Sequence, residues 1–138
     1  MRYIVILFLF FFTSCKTSED VNPRVKFLPK NERQLAVADY ASLLSENEKD
    51  SLANKIIDFE EKTANQIVVV TVDSIFPFVS ISQYATDLDN YWGVGRKGLD
   101  NGLLIVIAKF DRKISIAIGY GTEKILTDSI CKFIIGKK

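Results

Sequence analysis

Two seven-residue runs constrain this chain more than any other feature: Gln66–Val72 (QIVVVTV) and Gly102–Ala108 (GLLIVIA). Both are aliphatic and rich in β-branched side chains, and neither has the polar alternation of a strand with one wet face. Such runs read as strands buried on both sides, so the rest of the chain must supply cover for two faces of a sheet.

Helical patterns supply that cover. Gln34–Leu44 reads as a strand or extended lead-in, and Ser45-Glu46-Asn47-Glu48 then fits a capping box. Leu52, Ile56, Phe59 and Ala64 follow as an apolar stripe, with Thr63–Asn65 ending the helix. After the first buried strand, Phe76–Ser80 is a loop containing Pro77. Ile81, Tyr84, Ala85, Leu88 and Tyr91 form a second stripe closed by Trp92, and Gly93–Gly98 breaks it. Lys109–Lys113 is a turn. Ile114–Ile118 alternates and should pair with the preceding strand as a hairpin. Beyond Gly119-Tyr120-Gly121, Thr127 caps a helix over Asp128–Ile135. These elements predict a single α/β domain, a three-layer α/β/α sandwich with a mixed central sheet. The last helix stops abruptly, so a C-terminal truncation is expected.

The N-terminus has a different pattern. Met1-Arg2-Tyr3 is short and basic, Ile4–Phe12 is apolar throughout, and Thr13-Ser14 precede Cys15. This is the order of a secretory signal, and the apolar run is too short to span a bilayer. Cys15 resembles the acylated cysteine of a bacterial lipobox, with Phe12 where Leu is usual. The expected organisation is a signal peptide over 1–14, lipid on Cys15, a tether over 15–30 and a domain over 31–138. Two or more acyl chains would hold the domain stably on a membrane. Lys16 favours the outer membrane.

Removing Arg2 with the signal leaves 17 basic residues against 17 acidic ones. A net charge near zero argues against a nucleic-acid binder, which needs a basic stripe. The chain has no His, which excludes His-based triads and the usual zinc sites. Cys131 is the only thiol after Cys15; among Ile130, Phe133 and Ile134 it reads as a small buried hydrophobe.

Two loops at strand ends hold the unusual residues: 92–102 (WGVGRKGLDNG) and Gly119–Glu123 with Thr127-Asp128. Carboxylate and amide oxygens from Asp100, Asn101, Glu123 and Asp128 suit a hard cation, although their spacing is not that of an EF-hand. Each also has a plainer reading. Asp100-Asn101-Gly102 is turn-like, and Asp128 is a first-turn helix acid.

The order of these motifs resembles the TPM domain family. The match runs from Asp39, Ala41 and Leu44-Ser45 through QIVVVTV, WGVGRKGLDNGLL, Asp111-Arg112-Lys113, Gly119-Tyr120-Gly121-x-Glu123 and Thr127-Asp128. The family includes bacterial YgcG-type proteins and a phosphatase-like plant thylakoid lumen protein. Thr122 and Lys124 depart from its usual pattern, and its closing helical region is missing here. The resemblance implies an exported domain that binds Ca²⁺ or Mg²⁺ through Asp100, Asn101, Glu123 and Asp128, with Asp39 a weaker fifth. Trp92, Gly93, Gly95, Arg96, Gly119 and Gly121 would shape the cleft. It implies a cation-binding module in assembly or maintenance of a cell-envelope complex. The alternative is a metal-dependent acid phosphatase acting on phosphomonoesters.

Overall fold

Residues 22–137 are described by the computed structural model of the chain; the expected signal and Cys15 lie outside them. Four strands form one mixed sheet in the order β1-β2-β3-β4: β1 (Val37–Asp39), β2 (Gln66–Val72), β3 (Gly102–Ala108) and β4 (Lys113–Ile118). The first three are parallel, and β4 returns antiparallel to β3 as the expected hairpin. Helix α1 (Glu46–Thr63) joins β1 to β2, α2 (Ile81–Trp92) joins β2 to β3, and α3 (Asp128–Gly136) follows β4.

Alternation along β2 divides the core. Val68, Val70 and Val72 face Tyr84, Ala85 and Leu88 of α2, while Val69 faces Ile56 of α1. The two helices therefore lie on opposite faces. Because β1, β2 and β3 are parallel and consecutive, crossovers on opposite faces must have opposite hands. One of them breaks the strong right-handed preference of βαβ units.

Cover is uneven. Val68–Val72 are all buried, as expected for β2, but β3 alternates between buried and half-buried residues. Helix α1 lies over β1 and β2, leaving Leu103, Ile105 and Ile107 of β3 only partly covered. The expected α1 stripe is also corrected at Phe59, which is 42% exposed, because the helix turns only Leu52, Ala53 and Ile56 towards the sheet.

Residues 25–30, expected as part of a tether over 15–30, are instead seated on the domain. Leu28 is buried in the core and Val25 packs against it. The Trp92 indole Nε1 donates to Pro29 O at 2.8 Å, and the Tyr40 hydroxyl donates to Lys30 O at 2.8 Å. Apolar burial and two hydrogen bonds thus seat the segment from Val25 onward, where polar composition suggested a free linker.

Candidate functional site

The capping box forms as expected. Ser45 Oγ accepts from Glu48 N, and Glu48 Oε2 accepts from Ser45 N at 2.8 Å. At the far end of α1, Ala64 takes a left-handed conformation and its carbonyl accepts from Asn101 Nδ2 at 2.5 Å. Asn101 Oδ1 in turn accepts from Arg96 N at 2.9 Å, and Gln66 Oε1 accepts from Gly95 N at 2.6 Å. Asn101 is buried, and its amide braces the 93–102 loop against the end of α1.

Glycines let that loop meet the one after β4. Gly95 has φ +103°, and a Cβ there would sit 2.7 Å from Gly102 N. A side chain on Gly119 or Gly121 would collide with the carbonyls of Asp100 or Leu99. Gly121 N donates to Asp100 O at 2.9 Å and Gly119 N to Gly102 O at 2.9 Å. Asp100 is held at φ +47° by this crossing, in the left-handed region that Asp tolerates.

The crossing borders a cleft of about 1120 Å³ between α2, β4 and α3. Asp100, Glu123 and Asp128 line it with Gly93, Gly95, Arg96 and Gly119, so most of the expected site residues share one cavity. Asn101, Trp92 and Gly121 do not line it. Trp92 instead turns towards Pro29, and Gly121 supports the crossing from behind. Asp39 lies at the opposite end of the sheet. It pairs with Thr71, whereas Gly102 pairs with Gln66, five residues or about 16 Å away along β2. Its carboxylate accepts from the Thr71 hydroxyl and from the amides of Leu43 and Leu44, both at 3.0 Å. Burial pushes the Asp39 carboxyl up, but the Thr71 and backbone hydrogen bonds, with help from Lys49, outweigh it and hold the carboxyl below its ordinary range. It organises the β1–α1 loop. The cleft lies at the amino ends of the parallel strands, not at the carboxyl ends where open α/β sheets usually bind ligands.

Sequence reasoning missed Asp89. It lines the cleft from α2, its Oδ1 is buried without a protein hydrogen-bond partner, and burial pushes its carboxyl up to about 6. A signal was present: Asp89 follows Ala85 by four positions and Leu88 by one, placing an acid on the edge of the apolar stripe. Arg96, Lys97 and Lys132 put positive charge in the same cleft. Cys131 also reaches it but is 5% exposed, and burial raises its thiol first, with Asp128 adding to the shift. Among the described residues, no three acidic or cysteine side chains converge closely enough to hold a metal ion.

The family profile of the TPM domain matches residues 37–138. The chain belongs to the TPM domain family. The fold of this TPM domain is similar to that of the N-terminal domain of a protein from P. gingivalis, with a TM-score of 0.67 and 31% identity, covering 72% of this chain and 63% of that one. It is similar in fold to the N-terminal domain of the cg2496 protein from Corynebacterium glutamicum, at TM-score 0.57 and 22% identity, covering 75% and 64%. The chain thus spans a little under two thirds of the length of these solved domains. No curated protein matches it.

Proposed function

We propose that this TPM domain is a divalent-cation-binding interaction module of the bacterial cell envelope, exported and lipid-anchored at Cys15. Its cation-binding part rests on one observation: Asp89, whose Oδ1 is buried without a protein hydrogen-bond partner, lines a cleft that Asp100, Glu123 and Asp128 also line. A carboxylate in that state is costly unless a proton or a cation neutralises it. Oxygen-rich surroundings without His or an accessible thiol suit Ca²⁺ or Mg²⁺. Asp100 and Glu123 line the same cleft from the two loops that the glycine crossing joins, so binding would have to draw those loops towards Asp89. In the envelope, such a module would present the ordered cleft mouth to a protein complex.

A thermal-melting titration with Ca²⁺ and with Mg²⁺ tests the cation. A ligand selective for the folded state raises the melting temperature as its concentration rises. Asp89→Asn should remove the shift. No shift at millimolar ion in the parent chain would overturn the reading.

One observation favours the second reading, a metal-dependent phosphatase: Arg96, Lys97 and Lys132 share the cleft with the acids. A bound metal would supply Lewis-acid polarisation of a phosphoryl oxygen. The basic groups would bind and orient the remaining phosphate oxygens. Turnover of a generic phosphomonoester that requires added metal and is lost in Asp100→Ala would select this reading over the first.

A further inference from the structure

We infer that the segment seated on the domain just after the expected tether is a second interaction surface, one that lies against an anionic phospholipid membrane. Between Asn22 and Ala36 there are four basic residues (Arg24, Lys26, Lys30 and Arg33) and one acid, Glu32. From Val37 to Lys137 the balance reverses, with 11 basic residues and 14 acidic ones. This segment is therefore the basic pole of the described sequence, and along the chain it is the part nearest Cys15.

The geometry gives this pole a shape. Lys26 and Lys30 flank a shallow groove of about 410 Å³ with Val25, Leu28 and Tyr91. Leu28 is buried and fixes the floor, while the Trp92 and Tyr40 hydrogen bonds to consecutive carbonyls hold the following turn. Phe27 is 49% exposed, with the Lys26 ammonium 4.9 Å from its ring centroid. Tyr91 is 40% exposed. Exposed aromatic rings beside lysines are what a bilayer interface accommodates: the ring settles among headgroups while each ammonium stays with phosphate. Arg24 contributes less, because its guanidinium lies 3.8 Å from the Asp87 carboxylate.

Position makes the lipid the fitting occupant. Six residues lie between Cys15 and Asn22, and the seven steps along the chain reach about 25 Å at full extension. This inference rests on the anchored reading only for bringing the surface to a membrane; the charged groove itself stands on residues 22–36. A basic patch held that close adds to an acyl anchor, each basic residue near an anionic surface being worth roughly fivefold in partitioning.

Amide hydrogen exchange on the full chain with vesicles tests it. Residues 24–36 should exchange more slowly on phosphatidylglycerol-containing vesicles than on pure phosphatidylcholine vesicles, with α1 unchanged. The added protection should vanish in a Lys26→Gln/Lys30→Gln/Arg33→Gln variant whose melting temperature is unaltered, and should fade as salt shortens the screening length. Equal exchange on both vesicle types, or protection that survives the triple variant, would overturn the inference. Equal protection by soluble polyglutamate would assign the surface to an acidic protein and overturn the lipid. Sedimentation separates the anchor from the patch. Pelleting with neutral vesicles reports the anchor, whereas pelleting only with anionic vesicles keeps the patch and removes the anchor.

Discussion

Asn101 and Asp89 show how far residue type and residue role can part. Asn101 sits in a turn-like Asp-Asn-Gly triplet and looks like a ligand, but both ends of its amide hold backbone groups. Asn101→Ala should cost about 1–3 kcal/mol in chemical unfolding, the usual loss when buried partners are left unpaired. Asp89 is not among the residues that the sequence singles out, yet its carboxyl is raised by burial from 3.8 to about 6. The folded chain keeps that proton between these two values, where the unfolded chain has released it. Stability should therefore fall as pH rises from about 4 to 6 and level off above. The drop should be on the order of 1–2 kcal/mol, discounted because the carboxyl stays partly open to water. Denaturant unfolding across that range checks it, and Asp89→Asn should flatten this part of the profile. Spacing marks which residue types fall in a loop; it does not say which amide or carboxyl already has a partner.

Helices and strands were the most readable features, and their ends were clearer than their cover. The Ser45–Glu48 box is formed as its spacing dictates, and Ser45→Ala should cost about 1 kcal/mol of stability, measurable as a lower denaturation midpoint. The aliphatic run of β2 announced a strand enclosed on both faces because it has a helix on each. The equally apolar β3 did not receive the same enclosure, since α1 reaches only β1 and β2. Hydrophobicity records what a strand can tolerate, whereas cover depends on where a distant helix comes to rest. Helix α3 illustrates the same limit: Thr127 caps it as read, but Phe133 and Ile134 are 68% and 52% exposed.

Chain-wide arrangement was the least readable. Periodicity gave the layers and the hairpin, but not the opposite hands of the two crossovers, because a period identifies an apolar stripe without saying which face of the sheet it meets. The seat of residues 25–30 was hidden for a similar reason. Two prolines and several lysines outweigh one leucine in composition, although Leu28 is the residue the core takes in. Leu28→Ala should lower global stability by about 2–5 kcal/mol, as truncation of a buried leucine does, whereas a free tether would show no change on chemical unfolding. The sheet order has a further consequence in its opening motions. Strand β2 is bonded on both sides and covered on both faces, so its amides should exchange only through global unfolding. Strand β4 has one bonded neighbour, and its residues line the cleft. Protection should thus decline across the sheet from β2 to β4, putting the candidate binding surface on the side that opens most cheaply, where an occupant can tighten local structure without disturbing the interior.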